Sequence, residues 1–283
     1  CSWLRCLRRD VTNHVLHLVF ETADYEKRVA QDPDPDHLDL VEMVRKISDS
    51  SDHTYGARRM SRALKALGYE VGRRRTRTLM REAGIWVRYR KKYRVTTNSR
   101  HSHPVFPNRL ERNFEMDRPN QAWAGDITYL WTHEGWIYLA VVIDLYSRKI
   151  VGWSMSQRIN ARLACDALQM AIWSRRPEEG MIFHSDRGVQ YASHEFRRLL
   201  KANGVLGSMS RKGDCWDNSV VESFFGKLKS ERVHWRNYQT RSEARADVME
   251  YITMRHNSIR LHSYLGYLSP DEFEKRGQPA QAA

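Results

Sequence analysis

Residues 123–131 read WAGDITYLW, a β-rich stretch that loosely alternates apolar and polar residues and carries an aspartate, Asp126, in its middle. A carboxylate inside a strand is costly unless it is paired or bound to something. Downstream, residues 136–145 form a nearly continuous apolar run suited to a central strand. Residues 149–156 follow after a short Tyr-Ser-Arg connection. Joins this short predict that the three strands form an antiparallel meander.

The rest of the C-terminal half alternates helix and strand. Residues 161–175 place Leu163, Ala164, Ala167, Leu168, Ala171 and Ile172 on one helical face. Residues 181–184 read as a short strand running up to Asp186, 193–203 as a helix and 205–209 as another short strand. Two helices follow, at 218–233 and 242–256. The order β-β-β-α-β-α-β-α predicts an α/β, RNase H-like mixed sheet with helices on both faces. Fold alone does not set function.

Three acids stand out on this map. Asp126 lies within the first strand and Asp186 just past the fourth, so neighbouring strands can bring them close. Glu222 lies early in the 218–233 helix. Val221, Phe224, Phe225 and Leu228 make the core stripe of that helix, whereas Glu222 and Lys229, seven apart, share a different one. Three converging carboxylates repel one another unless a cation neutralises them. Oxygen-only ligands suit Mg²⁺ or Mn²⁺. Two such ions ~4 Å apart can activate an attacking hydroxyl and stabilise a leaving oxygen. Lys229 can then hold a DNA phosphate near the reacting end. Each acid also has a plainer reading: Asp126 as a solvent-facing strand residue, Asp186 as a cap on the Arg187–Gly188 turn, Glu222 as the partner of Ser219 in a capping box. Asp144 is a fourth acid, read as a turn or salt-bridge residue rather than a ligand.

The net charge of +13 is concentrated in one segment. Between His53 and Arg100 there are 15 Lys/Arg against only Glu70 and Glu82, an excess equal to that of the whole chain. Such a segment is a phosphate-binding element. Within it, residues 55–67 place Met60, Leu64 and Leu67 on one face, a Gly-flanked break follows, and 73–83 form a second helix ending at Gly84. Residues 38–47 supply a preceding helix. The pattern predicts a helix-turn-helix that presents Arg73, Arg74, Arg75, Arg77, Arg58 and Arg59 to DNA. The alternative is a solvated basic hairpin. The expected organisation is an N-terminal extension (1–36), the basic domain (37–95), a linker rich in Ser, Asn, His and Pro (96–118) and an α/β domain with a helical tail (119–283).

No apolar run approaches the ~18–20 residues needed to span a bilayer, and no secretory signal is present. Four cysteines in 283 residues fit a reducing, cytoplasmic compartment. Cys1, Cys6, His14 and His17 resemble a zinc-ligand set only loosely, and their spacings argue against zinc. Trp123, Trp131, Trp136, Trp153 and Trp216 are expected mostly in the core, and Arg260 and His262 at the surface, with or without DNA contact. The start at Cys1, without Met, reads as a fragment or as the downstream product of a longer frame.

The acids lie in a pattern of known type. Fifty-nine residues separate Asp126 from Asp186 and 35 separate Asp186 from Glu222. This spacing resembles the aspartate-aspartate-glutamate core of retroviral integrases and related insertion-sequence transposases. The surrounding words resemble the downstream-frame (OrfB-type) transposase subunits of bacterial insertion sequences. They are HTYGARRM (53–60), WAGDITYL (123–130), VVIDLYSRKIVGW (141–153), HSDRGVQYAS (184–193), DNSVVESFFGKLKSE (217–231) and HNSIRLHSYLGYLSPDEFE (256–274). The resemblance implies catalytic, metal-binding roles for Asp126, Asp186 and Glu222, and a contact of Lys229 with terminal DNA. It also implies cleavage at element ends followed by attack of a 3′-hydroxyl on target DNA. It further implies action as a multimer on DNA at the bacterial nucleoid, with an upstream-frame (OrfA-type) subunit as a possible partner. Two rival functions remain open at this point: an RNase H-type nuclease that cleaves without joining, and a non-catalytic DNA-binding regulator.

Overall fold

The computed structural model describes residues 35–88, 104–211 and 218–277. The candidate zinc residues and Trp216 lie outside the described residues.

Three helices open the described chain: α1 (Pro35–Ser50), α2 (Ala57–Ala66) and α3 (Arg73–Glu82). They close around Val44, Met60, Leu64 and Leu79, all fully buried. Gly84 follows α3 with φ +70°, the left-handed residue expected after a helix C-terminus. Leu67 departs from the expected core face. It sits one residue past α2, where the chain turns, and its side chain is exposed.

The α/β unit follows the expected order. Its elements are β1 (Ala122–Thr132), β2 (Gly135–Asp144), β3 (Ile150–Ser156), α4 (Ala161–Arg175), β4 (Ile182–Ser185), a short α5 (Val189–Ala192), α6 (His194–Ala202), β5 (Leu206–Met209), α7 (Ser219–Glu231), α8 (Arg241–Glu250) and α9 (Pro270–Gly277). Wide helical turns continue α8 through Tyr251–Asn257. The sheet order is β3-β2-β1-β4-β5. The β1–β2 and β2–β3 pairs are antiparallel and the β1–β4 and β4–β5 pairs parallel, giving the mixed sheet.

Strand periodicity divides the core in two. One face, with Ala124, Leu130, Ile137 and Val141, packs against Phe224, Leu228 and Tyr251 on α7 and the α8 extension. The other, with Trp123, Ala140 and Phe183, packs against Leu168 on α4 and Phe196 on α6. A Cβ at Gly152 would lie 2.2 Å from the Ala167 carbonyl oxygen, so the bare backbone there lets α4 settle onto β3.

The described part of the expected linker is not a free tether. Phe106 lies against Gly207, Arg197 stacks 4.7 Å from the Phe106 ring centroid, and the Arg109 and Leu110 N–H groups both donate to Ser208 Oγ. This stretch therefore lines the open edge at β5.

The tail also departs from expectation. Arg260 and His262 are buried rather than on the surface, at 2% and 4% exposure. Arg260 donates to both oxygens of Glu231 (2.9 and 2.5 Å), and the Tyr251 hydroxyl donates to the same carboxylate at 2.9 Å. The tail then receives the helical domain. Arg232 Nη1 lies 2.7 Å from Asp52, Arg255 donates to the Ser51 carbonyl and to Thr54 Oγ1, and the Tyr55 hydroxyl accepts from Leu261 N–H at 3.0 Å.

Hydrogen bonds and the charge of Arg260, then Arg59, overcome burial and hold the Glu231 carboxyl down at about 2. Its stabilisation is fully present above the ordinary Glu range near pH 4.5 and disappears as pH falls towards 2. Glu231→Gln leaves Arg260 buried without its counter-charge, and the expected cost is ~3–5 kcal/mol at pH 7. Urea unfolding at pH 7, 4 and 3 should show the gap between wild type and variant narrowing with acid.

Candidate active site

The parallel register of β1 and β4 sets up the site. Gly125 pairs with Ser185, so Asp126 and Asp186 are the next residues along two adjacent strand tracks. Asp126 shares the sheet face of Ala124 and Leu130, the face covered by α7. It is a carboxylate in a row of core positions. Its Oδ1 accepts from the Ile127 N–H at 2.7 Å. Gly125 beside it is required by packing, because a Cβ there would lie 2.5 Å from the Phe183 ring.

Asp186 opens a tight loop. Its Oδ1 accepts from Gly188 N–H at 2.9 Å, so the turn-capping role is present. The loop is fixed to β5 from below. The buried His184 ring bridges Ser208 Oγ (2.9 Å) and Ser210 Oγ (3.2 Å), and Arg187 Nε donates to the Ser210 carbonyl at 2.7 Å.

Both aspartates line a cleft of about 280 Å³ with Thr128, Tyr129, Gln190 and Tyr191. Glu222, half-buried on the first turn of α7, stands outside that lining but within electrostatic range. Burial first, then the Asp186 charge, pushes the Asp126 carboxyl well above the usual carboxylate range. Glu222 adds to the rise, while the Ile127 N–H and Lys229 oppose it. Glu222 is itself pushed up by burial and by Asp186. No capping-box bond ties it down: the N-cap, Asn218, has no side-chain cap bond, and α7 starts at Ser219. Among the described residues, no three His, Cys, Asp or Glu side chains stand close enough to form a ready-made metal site.

Lys229 lies two turns past Glu222, its ammonium 4.9 Å from the Tyr129 ring centroid. Burial lowers it and Asp126 raises it. Asp144 is a structural residue: it is fully buried, accepts from the N–H groups of Asn120 and Tyr146, and faces Arg175 at 3.4 Å.

The sequence reading missed Tyr191. Its hydroxyl is buried with no hydrogen-bond partner among the described residues, and burial plus the two aspartates keep it neutral. A tyrosine at a helix start reads as core, so no sequence signal marked it. The tryptophans also divide. Trp123 is core and Trp153 half-buried, but Trp131 and Trp136 are exposed and pack edge to face at 4.8 Å.

On the helical domain, Arg58, Arg73, Arg74, Arg75 and Arg77 are exposed. Arg59 is half-buried, and its Nε donates to the Leu261 carbonyl.

Comparisons with known proteins agree with this architecture. Residues 116–215 and again 222–277 match the integrase core domain, and residues 35–93 match an HTH-like domain. The fold and these matches define a polynucleotidyl transferase with an integrase core, a metal-dependent class, preceded by a helix-turn-helix-like DNA-binding domain. The chain is 47% identical over 240 residues to the transposase InsF for insertion sequence IS3A of Escherichia coli, covering 85% of this chain and 83% of that one. It is 43% identical over 223 residues to a 31 kDa protein of insertion element IS600 of Shigella sonnei, covering 79% and 82%. Among solved structures, a simian T-cell lymphotropic virus intasome matches with TM-score 0.49 and 17% identity, covering 79% of this chain and 72% of that one. The chain belongs to the insertion-sequence transposases that include InsF. It is a DNA transposase, and neither the joining-deficient nuclease nor the non-catalytic regulator is favoured.

Gly125→Ala drives a methyl group into the Phe183 ring. It should cost ~1–3 kcal/mol of stability, with Phe183→Leu restoring much of the loss. Denaturant unfolding of the two single variants and the double variant measures this coupling.

Proposed function

We propose that Asp126, Asp186 and Glu222 are the catalytic carboxylates, that they bind Mg²⁺ or Mn²⁺, and that two ions are used. The observation behind this reading is the parallel β1–β4 register, which sets Asp126 and Asp186 side by side on one cleft, with Glu222 near enough for the Asp186 charge to raise it. Such a set gains most from a hard cation, and it offers only oxygen ligands. When bound, the ions supply charge neutralisation for an in-line displacement at phosphorus.

The remaining steps belong to the chain. Lys229 holds a backbone phosphate of the DNA end beside Tyr129 and Asp126. Phe183 and the His184–Ser208–Ser210 bridge keep Asp186 in place. The attacking hydroxyl is water in end cleavage and a 3′-hydroxyl in strand transfer. Arg58, Arg73, Arg74, Arg75 and Arg77 grip the DNA backbone, leaving Arg59 to the tail contact. Cutting two ends together calls for a multimer of this chain on DNA, with an OrfA-type subunit as a candidate partner, at the nucleoid in the bacterial cytoplasm. The functional units are the helical domain (37–95) and the α/β domain with its tail (119–283).

Labelled element ends incubated with the protein and Mg²⁺ or Mn²⁺ test the triad. Asp126→Asn, Asp186→Asn and Glu222→Gln should each lower cleavage and joining roughly 10³-fold or more. Without metal, Asp126→Asn should melt higher than wild type, because a like charge is removed. Mg²⁺ should raise the wild-type midpoint and leave the variant unmoved. An active Asp126→Asn enzyme would refute the assignment.

The arginine assignment has a separate signature. Alanine at Arg73, Arg74, Arg75 or Arg77 should weaken duplex binding at any sequence and flatten the salt dependence. The slope of log K against log[salt] should fall by about 1 for each lost phosphate contact.

A further inference from the structure

A second polar cavity, of about 280 Å³, lies against another face of α7. Arg59 enters it from α2, Arg148 from the turn between β2 and β3, Lys227 from α7 and Arg260 from the tail. Ser219 and Ser223 line it at the first turn of α7. Four cations from four parts of the chain thus surround one small space. Glu231 is the acid paired there, and both of its oxygens are taken by Arg260 Nε and Nη2. The other acids whose charge reaches the group, Asp144 and Glu115, act on Arg148.

Arg260 and Arg148 are only 2% and 8% exposed, and Arg260 Nη1 and Arg148 Nη1 have no hydrogen-bond partner among the described residues. Buried guanidinium N–H groups without acceptors are expensive and rare. One guanidinium nitrogen of Arg148 donates to the Phe114 carbonyl, and the guanidinium lies 4.0 Å from the Tyr264 ring centroid. The uncapped N-terminus of α7 adds its own positive end. Burial first, then Arg260, Arg59 and Arg148, against the pull of Glu231, hold the Lys227 ammonium down at about 8. Burial, then Arg260 and Lys227, against the hydrogen bond to the Arg148 carbonyl, hold the lining His256 down at about 3. The exposed residues Ser263 and Tyr264 form the mouth.

We infer that this cavity is a phosphate-binding site, distinct from the aspartate cleft, in which Arg148, Lys227 and Arg260 hold a tetrahedral oxyanion. Guanidinium forks, the Lys227 ammonium and the nearby helix N-terminus match its geometry and charge. Because Arg59 belongs to the helical domain and the other three cations to the α/β unit, an occupied site ties the two together. The phosphate is either a DNA backbone group or a free inorganic phosphate. The inference does not depend on which carboxylates are catalytic.

Calorimetric titration of the full chain with inorganic phosphate tests it, paired with thermal unfolding in phosphate and in chloride at matched ionic strength. Wild type should bind phosphate saturably and melt higher than in chloride. Lys227→Gln and Arg148→Gln should weaken phosphate binding at least tenfold, while Lys227→Arg and a control at the exposed Arg45 of α1, Arg45→Ala, retain it. Saturating duplex DNA supplies the second arm. Displacement of phosphate by the duplex supports the site and identifies a DNA backbone phosphate as its occupant. Simultaneous binding supports the site and identifies free phosphate. Absence of a phosphate effect beyond chloride in wild type overturns the inference, as does wild-type phosphate affinity in folded Lys227→Gln and Arg148→Gln. The wild-type comparison decides even where a variant fails to fold.

Discussion

Parallel pairing of β1 with β4 is the constraint on which the cleft depends. With Gly125 opposite Ser185, the next residue on each strand is an aspartate. Burial and the Asp186 charge raise the proton affinity of Asp126, and the cost must be met by the rest of the fold. Packing answers for the position: Phe183 occupies the space a side chain at residue 125 would need, so the strands cannot drift apart or slip. Hydrogen bonding answers for the loop, through His184 between two serines of the neighbouring strand end. On Asp126 that cost is offset in part, by the Ile127 N–H and, less strongly, by Lys229.

Helix α7 organises the remainder by carrying three different stripes. Val221, Phe224, Phe225 and Leu228 bury one against the sheet. Glu222 and Lys229 lie on a second, toward the aspartates. Ser219, Ser223 and Lys227 lie on a third, toward the arginine cavity. A helix fixed so firmly by its apolar stripe needs no side-chain cap, and Asn218 indeed gives none. The uncapped end is then open to other partners.

Much of this was legible in the sequence, for physical reasons that differ by residue. Asp126 was visible because a charge breaks a strand pattern, and Glu222 because it falls off an otherwise apolar helical stripe. Most strands and helices appear within a residue or two of their expected bounds, since period-2 and period-3.6 patterns are strong; α1 runs three residues further at each end, and the short α5 and the terminal α9 were not expected. What stayed hidden depends on tertiary neighbours. Leu67 fits the helical period but lies past the point where α2 ends. Trp131 and Trp136 look like core and lie on an exposed part of the β1–β2 ribbon, packing on each other. Arg260 looks like surface, yet Glu231, 29 residues earlier, gives it a buried partner. Tyr191 acquires its character from burial and from two aspartates that the chain brings to it. Periodicity reports which face a residue is on, not what lies opposite.

The charge distribution takes on a different meaning once these neighbours are known. Outside the basic segment the chain is close to neutral, which suggests a bland surface. Instead the neutrality is a sum over two segregated groups. Acids gather on one side of α7 and cations on another. Adjacent residues in the helical domain divide in the same way: Arg58 is exposed, while Arg59 turns inward to the tail and shares the cation cavity. Segregation of this kind costs stability in the isolated chain, because like charges are held together out of water. It is tolerable where ligands of opposite sign complete each group. A nucleic-acid enzyme meets both kinds together, as phosphate and its accompanying cations. On the proposed readings of the two sites, the same arrangement makes the chain complementary to phosphate and cation on two faces of a single helix.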